Sequence, residues 1–150
     1  MEKSLPNKLR GWREPGVRFV IVRDNDGGDC LALKDHLRRL CSDRSEEDWL
    51  VRSACQELEA WYLGEPDALA EAFDKESLRW IGLCRSFRSP DAVLHPAKAL
   101  TKLIPEFQKV SGARRLAQYL TRERNSSPSF HALLDGVEQL TFPPPPATSH

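Results

Sequence analysis

Three short segments near the start of the chain most constrain its fold. They are an apolar, largely β-branched run at 17–22, a stripe of apolar positions at 30, 33, 37, 40 and 41, and a second apolar run at 49–55. The first and third have the composition of short buried strands, and the second has helical spacing. Strand, helix and strand at these intervals predict a right-handed βαβ unit with parallel strands. Parallel strands share one carboxyl-terminal edge, and in open α/β sheets that edge is where ligands bind. The fold class expected is therefore α/β, with a small parallel sheet flanked by helices.

At that edge stands Asp24-Asn25-Asp26-Gly27-Gly28-Asp29, directly after the first apolar run. In extended backbone, residues two apart point to the same side with Cα atoms roughly 7 Å apart, so Asp24 and Asp26 are candidate ligands for one hydrated cation. All-oxygen donors of this kind suit Mg²⁺ or Mn²⁺. The same residues also make an ordinary strand-to-helix turn, with Asp29 placed to cap the helix that follows. Both readings stay open at this level. A calcium EF-hand fits poorly, because Asp29 falls where that loop requires glycine. Just past the second run lie Glu57 and Glu59, either of which offers a third carboxylate; each also suits the first turn of a helix, where negative charge is favoured.

At 150 residues, 40% of them hydrophobic and 29% charged, the chain suits one compact domain. No apolar run approaches the roughly 18 residues needed to span a bilayer, and no apolar segment follows the first residues, so the expected location is cytoplasmic with no membrane partner. Cys30, Cys41, Cys55 and Cys84 form no C-x-x-C pair and are expected to be reduced. His36, His95 and His131 suggest no nucleophilic triad. The net charge is zero, yet residues 24–78 carry fifteen acids against six bases and residues 79–124 ten bases against three acids. Such asymmetry suits a metal site beside a phosphate-binding face, and equally two mutually attracting parts of one domain.

Downstream the pattern turns helical. Gly64 is expected to end a helix and Pro66 to open another through residue 73. Further helices are expected at 96–103, at 112–120 after a capping Ser111, and at 130–140 after Ser129. Residues 142–150 form a proline-rich tail expected to be disordered, leaving 1–141 as a single domain. Stable sheets usually need three or more strands, so either residues 1–16 and 79–88 hide further sheet or an amino-terminal βα piece is missing.

The runs at 20–34, 54–65, 109–114 and 127–130 together resemble a functionally unassigned bacterial family of Toprim-like domains, over residues 4–140. The most specific pieces are Arg-Asp-x-Asp-x-x-Asp-Cys, beginning at Arg23, and Glu-x-Glu-Ala-Trp, beginning at Glu57. The resemblance implies a Toprim-type fold and Mg²⁺-dependent handling of nucleic-acid phosphodiesters, in a setting of defence against phage and often beside an ATPase. It implies metal binding by Asp24 and Asp26, completed by a glutamate after an earlier strand that has no counterpart in this sequence. Glu59, or else Glu57, would then position metal or water, and Lys109, Arg114 and Arg115 would meet the nucleic-acid backbone, although all three also suit a solvated helix face. The alternative expectation is a non-catalytic or shortened subunit that docks on an ATPase or on a second copy of itself.

Overall fold

The computed structural model describes residues 2–42 and 48–143. Its sheet has two parallel strands, β1 (Phe19–Asp24) and β2 (Trp49–Ala54), in register from Phe19 opposite Trp49 to Asp24 opposite Ala54. Helix α2 (Cys30–Leu40) makes the crossover, as the spacing predicts. The expected loop between α2 and β2 lies largely outside the described residues, as does most of the proline-rich tail. The fold is α/β with a helical majority, and no third strand exists among the described residues. Residues expected to hide more sheet are instead α1 (Leu5–Gly11), with Pro6 in its first turn, and a 3-10 segment at Glu76–Leu83 followed by turns.

Alternation along the strands assigns their two faces. Ile21 and Val51 pack with Leu9, Leu37 and Cys41 beneath α1 and α2. On the opposite face, Val22 and Ala54 meet Trp61, Phe130, Leu133 and Leu134. The last three belong to α7 (Pro128–Thr141), which lies close over β2: a side chain at Gly136 would collide with Leu50 and the Arg52 guanidinium. Arg52 Nε donates to the Ala132 carbonyl of the same helix at 2.8 Å.

The remaining helices, α3 (Glu59–Leu63), α4 (Pro66–Phe73), α5 (Pro96–Leu103) and α6 (Lys109–Leu116), enclose a separate and larger core around Leu63, Leu69, Leu78, Leu100, Ile104 and Leu116. Two helix starts differ from expectation. Helix α6 begins at Lys109 with Gln108 at its cap, so Ser111 lies inside it. Gly112 marks a close approach rather than a start, since a side chain there would enter the Phe107 ring. Helix α7 is capped two residues earlier than expected, by Ser127, whose side chain accepts from Phe130 N–H.

Candidate functional site

Asp24 is the last residue of β1, and its Oδ1 accepts the Leu58 N–H at 2.8 Å, at the start of α3. The chain then turns sharply: Asp26 and Gly27 both have positive φ, 48° and 76°. Asn25 holds this turn against the loop after β2. Its Oδ1 accepts from Gln56 N–H at 2.5 Å, and its Nδ2 donates to the Cys30 sulfur at 2.7 Å. Asp26 N–H adds a bond to the Gln56 carbonyl at 2.9 Å, and Gln56 is itself left-handed, at φ 65°. The strand therefore ends before Asp26, and the two acids do not stand side by side on extended backbone as the spacing suggested. They converge by another route, through a turn that returns both to one cleft. Asp29 fulfils its turn role, accepting from Leu31 and Ala32 N–H at 2.8 and 3.2 Å.

The cleft, of about 680 Å³, is bounded by Val22, Arg23, Asp24 and Asp26 on one side. Leu58, Glu59 and Tyr62 of the α3 region and Lys109, Val110, Ala113 and Arg114 of α6 complete it. Glu59 is 5% exposed, and its Oε1 lies 3.6 Å from the Lys109 Nζ. Partial burial holds Asp24 above the ordinary carboxylate range; repulsion from Asp26 and Glu57 adds to this, while Leu58 N–H and Lys109 oppose it. Burial likewise pushes the Tyr62 phenol up to about 12, with Glu59 and Asp24 contributing.

Of the residues singled out by sequence, Asp24, Asp26, Glu59, Lys109 and Arg114 line this cleft. Glu57 and Arg115 do not. Glu57 Oε2 instead accepts the Ala97 N–H at 2.8 Å, satisfying a free donor in the first turn of α5. Arg115 lies over the Phe73 ring, 5.1 Å from its centroid. Sequence reasoning missed Arg23, Tyr62 and Val110, whose places in the cleft depend on how α3 and α6 meet the end of β1.

Among the described residues, no group of three or more His, Cys, Asp or Glu side chains is arranged to hold a metal ion. The donors therefore do not form an all-protein cage. A pair such as Asp24 and Asp26, with one Asp24 oxygen already committed to Leu58, suits the looser manner in which Mg²⁺ binds, through one or two carboxylates, several waters and substrate oxygens. No helix among the described residues is long and apolar enough to cross a membrane.

No curated protein and no solved structure matches the chain. A family model described as Domain of unknown function (DUF4276) matches residues 1–138, and the chain belongs to that family.

Proposed function

We propose that the cleft at the end of β1 carries out Mg²⁺- or Mn²⁺-dependent cleavage of nucleic-acid phosphodiesters, on a Toprim-like α/β framework and in the setting of defence against phage. The observation that carries this reading is that one cleft gathers acids and bases together, Asp24, Asp26 and Glu59 with Arg23, Lys109 and Arg114. A phosphodiester bound with a divalent cation is the ligand whose two charges match both sets of residues. The resemblance of the Asp24 and Glu57 motifs to Toprim-like domains supports the same chemistry.

In this reading Asp24 and Asp26 hold the cation, which when bound polarises a phosphate oxygen and lowers the pKa of its water. Lys109 takes a neighbouring phosphate and Arg114 meets the same strand beside it, giving affinity without sequence readout. Glu59, held beside Lys109, orients the lysine toward the incoming phosphate. The Leu58 N–H fixes one Asp24 oxygen and so the direction of the other.

Nicking of supercoiled DNA and cleavage of RNA, assayed with Mg²⁺, Mn²⁺ or EDTA, test the proposal. We expect metal-dependent product that falls by about a hundredfold or more in both Asp24→Asn and Asp26→Asn, variants that keep size and hydrogen-bonding capacity. Purified protein with no activity on either polymer would reject it. Trp80 and Leu83 support a second reading, a subunit that docks on an ATPase or a second copy. They are 63% and 72% exposed and lie three apart on a 3-10 segment, where such positions eclipse.

A further inference from the structure

The charged residues account for only part of the cleft wall. Val22, Leu58, Val110 and Ala113 also line it, so that it is largely apolar between its acidic and basic sides. A site meant only for phosphates and a hydrated cation gains nothing from this surface. A nucleic-acid duplex covers such a surface poorly, because the apolar faces of its stacked bases stay inside the helix. Helix α6 has a repeating face here: Lys109 and Ala113, and Val110 and Arg114, are each four apart and therefore neighbours. Val110 is 66% exposed and lies one turn before Arg114 on the same helix. An arginine plane is a surface on which an unstacked base rests, here extended by an apolar side chain one turn before it, while the lysine preceding that side chain meets the phosphate. The cleft volume of about 680 Å³ also falls within the range of sites that enclose small organic groups.

We infer that the substrate is single-stranded nucleic acid, with one base splayed from the strand onto the Val110–Arg114 face of α6 and its phosphate directed toward Lys109. This rests on the proposed nucleic-acid reading of the cleft and names the form of polymer it accepts. Val110 and Arg114 are then specificity-determining, and Lys109 serves any phosphate whether or not a base is attached.

The test is equilibrium binding of the full chain in EDTA, so that neither metal nor cleavage enters. Three fluorescent oligodeoxynucleotides of equal length are compared: a single strand, the same strand with abasic sites throughout, and its duplex. The single strand should bind about tenfold more tightly than the abasic strand, toward the low end of what one base stacked on an aromatic ring contributes, and more tightly than the duplex. Val110→Ser should bring the single strand down to the abasic level without changing abasic binding. Because Val110 is exposed, this variant should fold normally, as circular dichroism would verify. Lys109→Gln should weaken both strands alike. Equal binding of single and abasic strands, or preference for the duplex, overturns the single-strand inference while leaving a nucleic-acid site in place. Failure of all three to bind at low salt overturns the nucleic-acid reading of the cleft as well.

Discussion

The two sides of the cleft are built differently. The helical part that carries Glu59, Lys109 and Arg114 rests on a large apolar core in which Leu69, Leu100, Ile104 and Leu116 are fully buried. It is tied further by Glu65, which is 1% exposed, accepts from Thr121 N–H at 2.7 Å and pairs with Arg124 at 2.8 Å. The part that carries Asp24 and Asp26 is a two-stranded sheet over a smaller cluster. Its turn after Asp24 is held chiefly by hydrogen bonds, with Asn25 at the centre. Apolar packing resists displacement from every direction, whereas a turn held by directional bonds is fixed only while each partner stays in place. The basic wall is therefore the fixed reference of the site, and the acidic wall is the one sensitive to small changes.

Paired core truncations put this contrast under the largest load. Leu100→Ala and Leu37→Ala remove the same atoms from fully buried positions, and each should cost about 2–5 kcal/mol in denaturant unfolding. Leu100→Ala should lie near the upper end, because the larger core cannot collapse around the void, and Leu37→Ala near the lower. The reverse order would break the comparison. A smaller loss, about 1–3 kcal/mol, is expected for Asn25→Ala, which removes the acceptor of Gln56 N–H. If the acidic wall depends on that side chain, Asn25→Ala should reduce metal-dependent cleavage more than Leu100→Ala does at a temperature where both variants are folded.

The smallest effect sharpens the comparison through pH. Asp24 has its pKa raised above 3.8 in the folded chain, so the native state holds its proton more firmly than the unfolded state does. Its contribution to stability is thus fully present below 3.8 and is lost as pH rises through the raised value. Asp24→Asn keeps the acceptor for Leu58 N–H and removes the charge. It should raise the melting temperature slightly at neutral pH and flatten its dependence just above 3.8. No gain at neutral pH would mean that the acidic wall is not under electrostatic load.

What the sequence disclosed follows from how local each cause is. Both strands, α2 and its Asp29 cap, and the helices opened by Pro66 and Pro96 depend on neighbours within a few residues, and they stand where the pattern placed them, except that β1 begins and ends two residues later than its apolar run. Pro6 carries the same kind of local signal for α1. Helix α6 starts three residues before the position its pattern predicts, because Gly112 answers to the Phe107 ring, a contact made by folding back. Within the site, Asp24, Asp26 and Glu59 were legible as acids at strand ends. Glu57 was not, because its partner is Ala97, forty residues away. Arg115 likewise has a role set by Phe73 on a different helix. Arg23, Tyr62 and Val110 enter the cleft only through the meeting of three elements, which no short window of sequence records.

The left-handed residues at Asp26 and Gln56 sit in two different connections, yet each is bonded to the other connection through Asn25 or through the main chain. Neither bend can relax alone. The pair acts as a single latch, so the aspartates should be either seated together or released together, and any ligand that opens one connection gains leverage over both.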